Sequence, residues 1–161
     1  MSRLRIGLGV DAHMFDAGVP LVLAGVEFPG VPGLAGHSDG DVITHALIDA
    51  LLGAANLGDI GSLFPSDDAE LGGISSLLLL SRAYGKVHDA GYELANAHCV
   101  LVGERPRIAA RRGEMGRRLA EALGVDAERI AISATTTDRL GFTGRREGLA
   151  AQAVALLRQP D

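Results

Sequence analysis

The sequence predicts a single domain of the α/β or α+β class spanning residues 1–161, in which a β-sheet carries helices on one face. Three observations lead there. The chain has 161 residues, enough for one domain with a real core and short for two. Strand-like and helix-like runs follow one another with no linker, repeat or low-complexity tract between them. The 22 glycines fall between those runs, where they suit tight turns and close backbone approaches.

Arg5 to Val10 alternates, with Ile6, Leu8 and Val10 on one side, and continues through Asp11-Ala12-His13 as a strand. Asp11 and His13 are two apart on it and project together. Pro20 to Phe28 predicts one or two short strands ended by a Pro/Gly-rich turn over Pro29 to Gly33. Val42 to Ala55 has helical periodicity, and Ser38 reads as its N-cap, with Asp41 three residues later returning a hydrogen bond. Asp41, His45 and Asp49 then share one face, while Leu47, Leu51 and Leu52 point toward a core. Leu63 to Asp68 is an acidic loop with turn chemistry.

Ile74 to Ala90 predicts a helix stopped by Gly91, and Tyr92 to Val102 a buried strand interrupted by Asn96 and His98. Pro106 suits the first turn of a helix running to Leu123, closed by Gly124, with Arg111, Arg112, Arg117 and Arg118 on a basic outer face. Arg129 to Thr137, rich in Ile and Thr, predicts a strand. Glu147 to Leu157 is ambiguous, because its alanines favour helix while its apolar run suits a strand buried on both sides.

Composition narrows the function classes. A net charge of −5 leaves no broad cationic face for nucleic acid, and the lack of Trp removes the usual stacking platforms. No run has membrane-spanning length and no apolar signal segment opens the chain, so a cytoplasmic protein without membrane partners is expected. Cys99 is the only cysteine, so a metal site must use His and carboxylates.

Asp11, His13 and His45 form such a set. Three N/O ligands with a fourth position open is the arrangement of catalytic zinc, although Asp and His near loops are common for blander reasons. A helix opening beside His37 and Ser38 suits a phosphate. Asp59, between two glycines, either holds a metal-bound water or ends a turn, and the turn is favoured on local grounds. Ala134-Thr135-Thr136-Thr137-Asp138 gathers hydroxyls and a carboxylate at a strand end, where ligands collect in α/β sheets. Gly141-Phe142-Thr143-Gly144-Arg145 offers an arginine to an anion, and His88 and His98 read as ordinary surface or core histidines.

Six motifs in one order resemble the 2-C-methyl-D-erythritol 2,4-cyclodiphosphate synthases of the non-mevalonate isoprenoid pathway. They are Gly9-Val10-Asp11-Ala12-His13, Gly36-His37-Ser38-Asp39-Gly40-Asp41 with His45 following, Leu57-Gly58-Asp59-Ile60-Gly61, Ala134-Thr135-Thr136-Thr137-Asp138, Leu140-Gly141-Phe142-Thr143-Gly144-Arg145, and Glu147-Gly148. The resemblance runs from Gly7 to Leu157.

That resemblance implies an α+β domain with a mixed sheet, assembled as a homotrimer with strands around the central axis and active sites between subunits. It makes the last segment a strand. The implied substrate is 4-diphosphocytidyl-2-C-methyl-D-erythritol 2-phosphate, and the products are the cyclic diphosphate and CMP. Asp11, His13 and His45 match the family's ligands for Zn²⁺ or another divalent ion, and Asp138 sits where relatives place a second, Mg²⁺ or Mn²⁺. His37, Asp59 and Thr136 match catalytic positions, with Ser38 at the diphosphate and Gly61 near the methylerythritol. Gly103, Pro106, Arg107, Ile108, Ala109, Ala134 and Thr135 match the cytidine pocket, and Phe142 and Arg145 the substrate-binding loop.

Three positions depart from the family pattern. Asp138 is one methylene shorter than the usual Glu, Arg107 is planar where Lys is a point charge, and Gly73-Ile74-Ser75-Ser76 lacks an Asp. A metal-dependent phosphohydrolase and a non-catalytic zinc trimer binding an isoprenoid diphosphate are the competing readings.

Overall fold

In a computed structural model describing residues 3–160, five strands form one mixed sheet in the order β2-β1-β5-β3-β4. The strands are β1 (Leu4–Leu23), β2 (Val26–Leu34), β3 (Glu93–Val102), β4 (Ile130–Thr135) and β5 (Gly148–Arg158). All neighbours pair antiparallel except β3 with β4. Three long helices cover one face: α1 (Val42–Ala55), α3 (Ser76–Asp89) and α4 (Arg112–Leu123). Two one-turn helices, α2 (Ile60–Leu63) and α5 (Gly141–Gly144), sit in the loops. The α+β expectation holds, and the ambiguous last segment is the central strand β5. Its alanines 151, 153 and 155 are buried beneath the helices, where a small side chain lets a helix lie close.

β1 inverts the usual rule for an alternating strand. Its apolar residues Ile6, Leu8 and Val10 are 72%, 63% and 57% exposed, while Gly7 and Gly9 face inward. Added Cβ atoms there would lie 2.0 Å from the Ala50 carbonyl oxygen and 1.8 Å from that of Ala46, so β1 and α1 meet backbone to backbone. α1 is accordingly buried nearly all round, with only Gly53 exposed and Asp49 half-buried. The core gathers where it packs, around Ile43, Leu47, Leu51 and Leu80.

Four local expectations are corrected. The turn after β1 is Ala24-Gly25, and Pro29 to Gly33 continues as β2, an edge strand that tolerates proline because no neighbour needs its N–H. Asn96 and His98 do not interrupt β3; they are its outward-facing residues. Pro106 lies before the helix in a loop, after a cis Arg105–Pro106 bond, and α4 begins at Arg112. Arg111 does not join the outer face, because its guanidinium lies over Phe28 and donates to the Glu27 carbonyl of β2. Gly124, at φ 66°, closes α4 as expected. No helix among the described residues is long and apolar enough to cross a membrane.

Candidate active site

Asp41, not Ser38, caps α1. Its fully buried carboxylate accepts from Thr44 N–H (3.1 Å) and Thr44 Oγ1–H (2.7 Å), and also from the Ala24 and Gly25 N–H groups (both 2.8 Å). Those last two donors belong to the turn after β1, so one side chain pins the start of α1 to the strand bearing Asp11 and His13. Burial and the nearby Asp39 push the Asp41 carboxyl up, against the pull of the hydrogen bonds it accepts. The face shared by Asp41, His45 and Asp49 is therefore largely internal.

One turn later, His45 reaches Asp11 and His13. Asp11 Oδ2 lies 2.7 Å from His13 Nε2 and 3.1 Å from His45 Nδ1, and the two ring nitrogens are 3.2 Å apart. Tetrahedral ligand atoms at zinc distances sit roughly 3.3 Å from one another, so this triangle has nearly the required size. The outer ring nitrogens are engaged as well. His13 Nδ1 donates to the Ala35 carbonyl, and His45 Nε2 lies 2.9 Å from Ser76 Oγ and 3.0 Å from Ser38 Oγ. With the outer nitrogens protonated, three electron-pair donors converge on one point, an arrangement that calls for a cation. The cluster could hold a metal ion.

Without a metal, protons on the imidazoles meet the Asp11 charge instead. Burial raises the Asp11 carboxyl, but hydrogen bonds and charge from His13 and His45 outweigh it and hold it at about 2. The hydrogen bond to Asp11 likewise raises His13 against its burial.

The triad opens into a cavity of ≈ 630 Å³ lined also by His37, Ser38, Gly61 and Phe64. His37 Nε2 lies 3.1 Å from the Asp68 carbonyl. Asp59 is beside this cavity but turned to other work: its side chain caps α2, accepting from Ser62 N–H at 2.8 Å in a reciprocal capping box. That is the turn-forming role favoured on local grounds.

A second cavity of ≈ 450 Å³ lies at the carboxyl ends of the parallel strands β3 and β4. Gly103, Pro106, Arg107, Ile108, Ala109, Ala134, Thr135 and Thr136 all line it. Glu104 and Arg105, within the stretch from Gly103 to Ala109, share the lining, and sequence reasoning missed Arg112 and Arg146 there. Arg112 is the first residue of α4 and lines this cavity instead of joining the basic outer face, because the helix starts later than Pro106 suggests. Asp138, Phe142 and Arg145 line neither cavity. All three are exposed around α5, Asp138 at φ 51°, and Arg145 pairs with Glu147 at 2.9 Å.

A family model described as the YgbB family matches residues 4–158. The chain is 54% identical over 154 residues to the 2-C-methyl-D-erythritol 2,4-cyclodiphosphate synthase of Moorella thermoacetica, covering 96% of this chain and 94% of that one. It superposes on the bifunctional IspDF of Campylobacter jejuni with a TM-score of 0.96 and 42% identity, covering 100% of this chain but only 44% of that longer one. It also superposes on a CDP complex of IspF from Plasmodium falciparum with a TM-score of 0.85 and 28% identity, covering 98% of this chain and 97% of that one. Matched along almost its whole length in both sequence and fold, the chain belongs to the YgbB family, the family of these cyclodiphosphate synthases.

Proposed function

We propose that the chain converts 4-diphosphocytidyl-2-C-methyl-D-erythritol 2-phosphate to 2-C-methyl-D-erythritol 2,4-cyclodiphosphate and CMP. The observation that carries this reading is the convergence of Asp11, His13 and His45, with their outer ring nitrogens already occupied, on a cavity large enough for a diphosphate.

The chemistry asks little of a base. The 2-phosphate is ionised at neutral pH, so one of its oxygens attacks the β-phosphorus directly. The new P–O bond closes the ring as the bond to the bridging oxygen breaks, and CMP leaves with that electron pair. What remains for the protein is positioning and charge neutralisation. Asp11, His13 and His45 would hold a divalent ion, Zn²⁺ in our reading, and Asp138 a second, Mg²⁺ or Mn²⁺; when bound, these ions supply Lewis-acid polarisation and offset the phosphates' charge.

His37 and Ser38 line the same cavity, and in this reading they would donate to diphosphate oxygens. Gly61 leaves room there for the methylerythritol, and Asp59 fixes the turn that presents it. In the second cavity, backbone groups of Gly103, Pro106, Ile108, Ala109, Ala134 and Thr135 would receive the cytidine, with Arg107 and Thr136 at its phosphates.

The two cavities are separate within one chain, and Asp138, Phe142 and Arg145 lie outside both. We therefore read the active site as shared between neighbouring copies in a homotrimer. The support is the sheet face opposite the helices, where Leu4, Ile6, Leu8, Val10 and Val154 form an exposed apolar surface. The lone, buried Cys99 suits a reducing cytoplasm.

The test is product analysis by phosphorus NMR with the purified, metal-loaded protein. CMP and a cyclic diphosphate in equal amounts are expected. Free phosphate would instead establish a hydrolase, and no turnover by a zinc-loaded trimer would establish a binding protein.

A further inference from the structure

We infer that Ser76, held by Asp39, is a positioning residue that puts the ring proton of His45 on Nε2 and so leaves the Nδ1 lone pair facing Asp11 and His13. This rests on the reading of those three residues as a metal centre.

Ser76 is the first residue of α3 and is wholly buried. Its helix starts without a side-chain cap from its own Ser75. The missing acceptor comes from another segment, the loop before α1. Asp39 Oδ2 accepts the Ser76 N–H at 3.0 Å, and Asp39 Oδ1 accepts the Ser76 hydroxyl. Oδ1 also accepts the Asp41 N–H at 3.2 Å, while the Asp39 N–H donates to the Ile74 carbonyl at 3.1 Å. Both carboxylate oxygens are thus acceptors, and their direction is fixed from two sides.

The consequence passes along the chain of bonds. Because the Ser76 proton is committed to Asp39, Ser76 Oγ can only accept from His45 Nε2, 2.9 Å away. Nε2 then carries the ring proton, and Nδ1 keeps its lone pair toward the Asp11–His13 pair. Ser38 Oγ lies 3.0 Å from the same Nε2 and 3.3 Å from Ser76 Oγ. A single ring proton taken by Ser76 leaves the Ser38 hydroxyl free to donate into the cavity it lines. Asp39 and Ser76 do not line that cavity. They act through His45.

The experiment uses the full chain with Ser76→Ala, Ser76→Thr and Asp39→Asn. Zinc affinity is measured by competition with a chromophoric chelator, and ligand geometry by the visible absorption of the Co²⁺-loaded protein. Ser76→Ala should weaken zinc binding by about 10–100-fold and alter the cobalt spectrum, while the metal-free protein keeps its melting temperature. Ser76→Thr restores the acceptor and should recover both. Asp39→Asn should weaken zinc at least as much, because an amide cannot accept at both atoms, and it tests the relay even if Ser76→Ala fails to fold. Wild-type zinc affinity and cobalt spectra in Ser76→Ala and Asp39→Asn would overturn the relay and leave the metal centre standing. A wild-type protein that takes up neither ion would instead overturn the metal reading beneath it.

Discussion

The two cavities are built on opposite principles. In the first, Asp11, His13 and His45 come from adjacent elements of one chain, and each outer ring nitrogen has a partner. The second is bordered by the arginines 105, 107, 112 and 146 with Glu104 among them, and its backbone includes Arg146 in the left-handed region at φ 59°. Left-handed conformations in bulky residues cost roughly 1–2 kcal/mol each and persist where other contacts enforce them. The difference teaches that a cluster able to hold a metal can be fully partnered by internal contacts, whereas the arginine-rich cavity keeps most of its cationic groups without a counter-charge among its lining residues.

Three experiments break or sharpen that contrast. The largest effect is expected from Asp11→Ala or His13→Ala, which should abolish stoichiometric zinc and cost at least about a hundredfold in turnover, with CMP affinity unchanged. Metal analysis together with calorimetric CMP titration checks it; normal rate with metal retained would refute the ligand assignment. Next, Arg107→Ala should raise KM by about 10–100-fold, the scale of one hydrogen bond to a charged group, and leave zinc content untouched. Loss of zinc in that variant would mean the two cavities are one cooperative unit.

The smallest effect concerns pH in the metal-free protein. Asp11, lowered from 3.8 to about 2, contributes stability that is present above pH 3.8 and lost as pH falls through about 2. His13, raised above 6.5, contributes stability that is present below pH 6.5 and lost as pH rises through its raised value. Their pairing should therefore help most between these limits, and added zinc should stabilise increasingly above them, where imidazole is neutral. Melting curves with and without chelator report this, and a zinc increment that shrinks as pH rises from 6 to 8 would contradict it.

Strand alternation made the shared face of Asp11 and His13 legible and helical periodicity placed His45 on a helix; that the three meet was implied by the family resemblance, because the contact spans 32 positions. The cap was not legible. Ser38 and Asp41 are both good capping residues, and the choice fell to Asp41 because the Ala24 and Gly25 N–H groups, distant in sequence, needed the same carboxylate. Pro29 to Gly33 read as a turn because proline and glycine punctuate local structure, yet an edge position in a sheet makes proline harmless. Gly73 to Ser76 looked only like a departure from the family pattern, and the role of Ser76 depends on Asp39 reaching it across 37 positions.

At Gly7 and Gly9 the main chain of the sheet lies directly on the main chain of α1, with no side chain on the strand to hold them apart. Side chains hop between rotamers, but this seam has none to hop. The spacing of the two imidazoles is therefore inherited from polypeptide geometry itself, and an alanine at residue 9 should spread them apart while leaving every ligand in the sequence.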